Sequence, residues 1–399
     1  MLIAPKRILP TLVLAQFAGT SLWFAVNAVM PDLQQQMGWP ASAVGRLTSA
    51  LQLGFIVGTL VFALLAIADR FSARRVFLFC ALAGALCTLG AMMRIASFTE
   101  LLLWRAATGF FLAGIYPVGM KIASQWFPKG LGVALGWLVG ALVLGSASAH
   151  GIRALSVELP WSTVMISVAL LAAAGGLLLF MVIPEPPNYS ANTKKLEMHA
   201  LATIWTDWRV RASVLGYFGH MWELYAFWSV LPWLSLPIAR ALTDTPEGLA
   251  GTVAWVSFAV IGIGFFGCVL GGIWSRRVGS ARVAASALAA SGLMCLLYPL
   301  IPERWPLVQL GALLFWGVCV VADSPQFSAM SSQHAPPQWL GSALVLQNGV
   351  GFLITVLSIL LLGWALETWG SWALWLLAPG PALGLWALWP WVKTPKTAA

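Results

Sequence analysis

The chain has 399 residues, of which 60% are hydrophobic and only 9% charged, with a net charge of +9. A soluble domain carries roughly 25% charged residues, so too little polar surface is present to coat a water-soluble globule. That class is excluded, and the composition is that of an integral membrane protein.

The N-terminus, MLIAPKRILP, enters an apolar stretch with no small-residue cleavage site before Pro31, so it reads as a retained first span rather than a removed signal peptide. Apolar runs of about 20 residues, the length that crosses hydrocarbon, then recur from end to end. The first six lie at roughly 10–30, 43–68, 75–95, 98–124, 130–154 and 161–183. Gln16, Thr20, Trp23 and Asn27 follow one another at helical spacing and give span one a polar and aromatic face, while Gln52 adds an amide to span two. In span four, Arg105, Thr108 and Gly109 share a face. Lys121 and Arg46 lie near helix ends, where long side chains reach the interface, and are discounted as ligands.

A polar stretch, PEPPNYSANTKKLEMHALATIWTDWR, separates these from six further spans at roughly 211–235, 251–274, 283–301, 306–329, 340–363 and 370–391. The predicted organisation is thus 1–183 and 211–399 as two six-helix bundles joined by a cytoplasmic linker, 184–210. Span seven holds GHMWELYAFW, with His220 and Glu223 one turn apart near its middle and Trp222, Tyr225 and Trp228 around them. A charge in hydrocarbon costs at least a few kcal/mol, so this pair calls for a partner, for water or for a function. Asp323 and Gln326 lie in span ten, Gln347 and Asn348 in span eleven.

Two readings stand for each buried ionisable group. Arg105 either binds substrate or braces backbone carbonyls; Glu223 either titrates or is paired with His220 or Arg105; Asp323 either joins the coupling or braces the helix beside Pro325. The functional reading takes His220, Glu223 and Asp323 as proton-coupling residues, since a proton on Glu223 removes its charge and changes which state of a wet cavity is preferred. The cavity set is then Gln16, Thr20, Trp23, Asn27, Gln52, Arg105, Trp222, Tyr225, Trp228, Gln326, Gln347 and Asn348.

Lys and Arg mark orientation. With the N-terminus inside, fifteen fall in inner loops and five in outer loops or helix ends, which puts both termini in the cytoplasm and makes nucleic acid a poor partner for the positive charge. All five cysteines lie in apolar runs without metal-ligand spacing, so neither disulfides nor zinc are expected. The halves also repeat: SQWFPKGLGVAL (124–135) and SQHAPPQWLGSAL (332–344) share a frame, Pro117 and Pro325 precede them alike, and DRFSARR matches RRVGSAR at an offset of 207. Parallel repeats of this kind place a transport site at the midplane between the halves.

At these residues the chain resembles the major facilitator superfamily along essentially all its length. Its loop motif G-x-L-A-D-R-x-G-R-R is met by LAIADRFSARR, with Asp69, Arg70, Arg74 and Arg75 matching and Leu65 and Ser72 in place of glycines. The second copy keeps Gly272 and Gly279 but has Arg276 at the Asp position; RAATGFFLAG supplies the fourth-span Arg105, Gly109 and Gly114. The resemblance implies twelve transmembrane helices in two pseudo-symmetric bundles and alternating access, with Asp69, Arg70, Arg74, Arg75, Arg276, Arg277 and Arg282 as gating residues that tie cytoplasmic helix ends together. Among branches it is closest to bacterial members near the nitrate/nitrite porters, without their glycine-rich span five. The antiporter pattern of span five is poorly met, since GALVLGSASAHG lacks its proline.

The expected function is therefore proton-coupled secondary transport of a small organic solute across the bacterial cytoplasmic membrane, by a monomer without cofactors. A small-anion porter ranks second, because spans eight and eleven carry no positive charge, and multidrug efflux third. No nucleotide-binding motif or catalytic arrangement points to an enzyme or sensor.

Overall fold

The computed structural model describes residues 6–40, 42–94, 97–127, 131–185, 206–334 and 340–393. Most of the predicted linker falls outside these, as do both termini. All regular structure among the described residues is helical, as it must be where a crossing segment has only itself to satisfy its backbone.

Span one is two helices, α1 (Ile8–Thr20) and α2 (Ala25–Met37), separated by a turn over 21–24. Thr20 Oγ1 donates to Gln16 O at 2.8 Å and Ser21 Oγ to Ala18 O at 2.7 Å, and such back-bonding competes with the helical ladder and bends it. Span two is α3 (Ala43–Leu64), with the short α4 (Ile67–Arg70) after a left-handed Ala66. Spans three to six are α5 (Ala73–Met93), the broken pair α6 (Phe98–Leu112) and α7 (Tyr116–Trp126), α8 (Leu131–Leu155) and α9 (Ser162–Val182). Ser97 caps α6 by accepting from the Glu100 N–H, the Ser-x-x-Glu signature of a helix start.

The second half opens on α10 (Trp208–Leu242), capped by Asp207. At 1.5 Å per residue its 35 residues run to about 52 Å, well beyond the ~30 Å of hydrocarbon, so the expected span at 211–235 is the middle of a longer rod. Span eight is α11 (Pro246–Gly262) and α12 (Gly264–Val278), and span nine is α13 (Ser280–Leu297). Span ten is α14 (Pro306–Ala322) and α15 (Ser324–His334), broken at Asp323; span eleven is α16 (Leu340–Trp369), and a 3-10 stretch leads to α17 (Pro379–Lys393), span twelve.

Ten described segments are long and apolar enough to cross a bilayer. One of them, Leu344–Lys393, is 50 residues long and contains two crossings, and α10 adds the remaining one, making twelve. With an even number of crossings the start of α1 and the end of α17 lie on one side, here called the terminal face.

The halves are built alike. Gly54, Gly58 and Gly109 let spans two and four meet backbone to backbone: a Cβ at Gly109 would overlap the Leu51 carbonyl oxygen, and one at Gly54 the Ala106 carbonyl oxygen. Gly267 and Gly317 repeat this between spans eight and ten, against the carbonyl oxygens of Val318 and Val260. Close approach over small residues is how helices associate in lipid. The halves themselves meet along spans five and eight, where Trp137 packs on Phe265, and along spans two and eleven, where the Ser42 N–H donates to Glu367 Oε1 at 3.1 Å on the far face.

Candidate substrate and coupling site

The break in span one sets the first half of the site. Phe24 O is the first carbonyl that α2 uses, leaving Leu22 O and Trp23 O ahead of the ladder. Arg105, buried in α6, fills that gap: Nη1 donates to Leu22 O at 3.2 Å and Nη2 to Trp23 O at 2.6 Å. The bracing reading of Arg105 is thus realised by two specific contacts. It also fixes Trp23 and Phe24, the residues that face the other half.

There the halves meet in rings. Trp23 stacks on Tyr225 at 5.6 Å and 23°, and Phe24 lies parallel to Tyr225 at 6.3 Å and 3°. Trp228 stands edge-on to Phe24 at 5.9 Å, and Phe55 and Phe352 close the cluster at 4.4 Å from each other. All six rings are buried. Of these, Phe24, Phe55 and Phe352 were not singled out from the sequence, because an isolated Phe in an apolar run gives no signal until a tertiary contact selects it.

Polar groups surround the cluster. Asn27 Nδ2 donates to Thr48 Oγ1 at 2.8 Å, one turn from Gln52 on span two. Gln52, Gln16, the Trp23 and Trp228 indole N–H groups and His150 Nε2 are buried with no hydrogen-bond partner among the described residues. Gln16 packs on Gly119 of span four, and Thr20 is occupied by the Gln16 carbonyl. Trp222 turns away from the junction, donating to Leu376 O at 2.8 Å beside span twelve.

The ionisable residues of the second half take other partners than helical spacing suggested. Glu223 is paired with neither His220 nor Arg105. Its Oε1 accepts from Trp316 Nε1 at 2.6 Å and from Cys295 Sγ at 3.4 Å, and its Oε2 from Ser291 Oγ at 2.8 Å. The carboxylate is 1% exposed inside the second bundle, held by spans nine and ten instead of lining a wet cavity. His220 Nδ1 approaches Asp323 Oδ1 to 2.8 Å, an ion-pair distance outside hydrogen-bond geometry, at the break in span ten. Beyond it Ser213 Oγ meets Ser331 Oγ at 2.9 Å, and Ser331 donates to Gln347 Oε1 at 2.7 Å. Gln326 is buried beside Gly271 of span eight, and Asn348 is half-buried.

Of the gating set, Arg74 bridges to a carboxylate and to a helix end. Its Nε contacts Glu185 Oε1 at 2.9 Å and its Nη1 donates to Phe180 O at 3.2 Å and Ile183 O at 3.4 Å, the carbonyl end of α9. The expected meeting of a basic side chain with carbonyl ends and an acid is present, but it joins spans three and six within one half, and the acid is Glu185, in what the sequence reads as linker. The Asp69 side chain lies outside the described residues. Arg70 and Arg75 are exposed at the mouth of a cavity of about 690 Å³ on the terminal face, and Arg276, Arg277 and Arg282 are exposed at the end of α12 and start of α13. Glu185→Ala should therefore lower the unfolding midpoint by a few degrees, the effect of about 1 kcal/mol for a half-buried pair, while transport at saturating solute stays within about twofold. Loss of activity at unchanged stability would make the contact a moving one.

The Major Facilitator Superfamily profile matches residues 12–358. The chain belongs to that superfamily. Two uncharacterized MFS-type transporters of Mycobacterium tuberculosis, from strain CDC 1551 / Oshkosh and strain ATCC 25618 / H37Rv, are each 26% identical over 349 residues, covering 81% of this chain and 71% of theirs. The crystal structure of the nucleoside transporter NupG superposes with a TM-score of 0.72 at 14% identity, covering 98% of this chain and 100% of that one. At that identity the likeness is one of fold. This facilitator-superfamily chain is a multi-pass membrane transporter of two six-helix bundles, as its repeat indicated.

Proposed function

We propose that the chain is a secondary active transporter that carries a small organic solute across the bacterial cytoplasmic membrane by alternating access, driven by protons. The observation that carries this is the junction of spans one, two, seven and eleven: rings from both halves meet there, ringed by buried polar atoms without partners. Buried polar groups are nearly always satisfied, so such a concentration at the contact between two repeats marks where a polar solute is taken up as the halves 1–183 and 211–399 part. The Ser42–Glu367 contact holds the far face shut, which supports a resting state opening toward the terminal face. The excess of basic residues in its loops supports a cytoplasmic position for that face.

The coupling proton is carried by Glu223, with Asp323 and His220 in the same bundle. Glu223 has three neutral donors and no cationic contact among the described residues, so its charge is held at a cost that protonation removes. Its span nine and ten partners belong to the same half as Tyr225 and Trp228, two and five residues further along α10, so a proton on Glu223 repacks the helix that carries half of the junction. The anion-porter reading is the weaker one, because Nη1 and Nη2 of Arg105 are each anchored to a carbonyl and its buried Nε is the guanidinium nitrogen without a partner among the described residues. A nucleoside, the solute class named for the transporter NupG, is one solute for a first screen.

The test is Glu223→Gln in proteoliposomes. Glutamine keeps the shape, and the Ser291 hydroxyl can accept where it now donates, so the variant folds. It should lose pH-gradient-driven accumulation at least tenfold, about 1.4 kcal/mol of coupling, while counterflow exchange persists. Undiminished driven accumulation would remove the proton assignment.

A further inference from the structure

The junction also constrains the solute's chemistry, an inference that rests on the transport reading above. We propose that the solute is an uncharged molecule with a flat aromatic ring that carries hydrogen-bonding atoms on its edge, taken up between Trp23 and Phe24 of one half and Tyr225 and Trp228 of the other, with His150 as an edge contact.

The flat ring follows from how the halves now touch. Trp23 and Phe24 present faces to Tyr225 within 23° and 3° of parallel, so the gap that opens when the halves part is a slot with aromatic walls. A flat ring entering it restores the face contacts that parting breaks. A ligand shifts a conformational equilibrium only by what it gains in one state over the other, and a stacking solute compensates the open state for the contacts that hold the closed one. An aliphatic solute would fill the volume without matching the quadrupoles of the rings.

The edge atoms follow from what is left unpaired. Trp23 Nε1 and Trp228 Nε1 can only donate, His150 Nε2 donates or accepts according to its tautomer, and the Gln52 amide does both; none has a partner among the described residues, and each residue is at most 1% exposed. His150, in α8, packs against Phe24 at 6.5 Å, which puts its ring at the rim of the slot. A solute with acceptors and donors around its ring satisfies this set; benzene-like compounds leave it orphaned at a cost for every atom.

The lack of charge follows from where the buried ions are spent. Arg105 is anchored through Nη1 and Nη2 to Leu22 O and Trp23 O, leaving its Nε without a partner among the described residues, Glu223 faces Trp316, Ser291 and Cys295, and Asp323 faces His220. None of these four side chains has a described ring contact with the slot's Trp23, Phe24 or Trp228. A charged solute would therefore meet the slot's rings with no ionic side chain packed against them, at a cost of several kcal/mol.

The experiment uses the purified full-length chain in detergent and in proteoliposomes, with five probes: uridine and hypoxanthine as uncharged heteroaromatics, benzoate and phenethylammonium as charged aromatics, and glucose as an uncharged solute without an aromatic ring. Uridine or hypoxanthine at millimolar concentration should raise the unfolding midpoint and be taken up, and the other three should do neither. Trp23→Phe, which keeps a ring but removes the donor, and His150→Leu should each weaken the binding of the stabilising probe about fivefold to tenfold, with the midpoint of the unliganded protein little changed. Binding and uptake of benzoate, phenethylammonium or glucose in place of the heteroaromatics would overturn the solute class and leave the transport reading standing. Stabilisation by a heteroaromatic without flux of any probe would sustain the site and overturn transport. A binding constant unmoved in both variants would overturn the assignment of the slot.

Discussion

Arg105→Leu should insert in the membrane, unfold at a markedly lower temperature than the parent chain, and transport solute at least a hundredfold more slowly. The two guanidinium contacts to Leu22 O and Trp23 O are the ones found for carbonyls stranded by the break over 21–24. Leu22 and Trp23 are fully buried, so a leucine at position 105 leaves both carbonyls orphaned, at roughly 1–3 kcal/mol apiece. The expected loss of stability is therefore about 2–6 kcal/mol. The effect on transport has a separate cause. Trp23 and Phe24 are the rings that span one offers to the other half, and their backbone is what Arg105 clamps. Misplacing them by an ångström is enough for a hundredfold loss. Arg105→Lys separates the two effects: one ammonium keeps the charge but cannot present the planar fork that reaches both oxygens, so it should recover part of the stability and little of the activity. Wild-type stability and uptake in Arg105→Leu would show that the break in span one supports itself.

What the sequence made legible, and what it did not, divides along one physical line. Hydrophobic length is additive along the chain, so the spans stood out one by one, and the repeat followed from SQWFPKGLGVAL and SQHAPPQWLGSAL. Breaks are tertiary in origin. Pro117 and Pro325 flag those in spans four and ten, but the turn over 21–24 has no proline and persists because Arg105, more than eighty residues away, satisfies it. In the site, Tyr225, Trp228 and Trp23 were visible as aromatic residues beside polar ones. Their partners Phe24, Phe55 and Phe352 were not. Helical spacing put His220 and Glu223 within reach of each other, and each found a better-placed group on another span: Asp323 for the imidazole, the Trp316 indole and Ser291 hydroxyl for the carboxylate. A serine, a cysteine and a tryptophan inside apolar runs read as core, and only the fold turns them toward one acid. Arg74 was expected at a gate because its motif is basic and its helix end cytoplasmic; the acid it meets, Glu185, lies just past a helix whose end the sequence marks only by prolines.

Gly109→Ala should be among the most damaging single-methyl changes this chain can accept. A Cβ there would overlap the carbonyl oxygen of Leu51 and stand 2.8 Å from its carbonyl carbon and 2.9 Å from the Phe55 nitrogen, all of them backbone. A flexible side chain could swing aside, but a helix backbone moves only as a rod, so spans two and four must part. Overpacking costs typically about 1–3 kcal/mol, occasionally more, and a rigid opponent puts this case at or above the upper end. The displaced segment carries Gln52 and Phe55, so uptake should fall together with stability. Gly317→Ala repeats the collision against the Val260 carbonyl oxygen in the second half, one residue from Trp316 and hence from the hydrogen bond to Glu223; it should destabilise as much and also impair proton coupling. Gly311 shares α14 with Gly317 but meets nothing within 4 Å, so Gly311→Ala should be neutral or stabilising by up to about 1 kcal/mol through helix propensity. Unfolding midpoints of the three alanine variants in one detergent decide the matter. If Gly109→Ala and Gly317→Ala unfold where Gly311→Ala does, the matched backbone crossings are not what holds each bundle together, and the two halves are alike in outline without sharing the contacts that a common origin would leave.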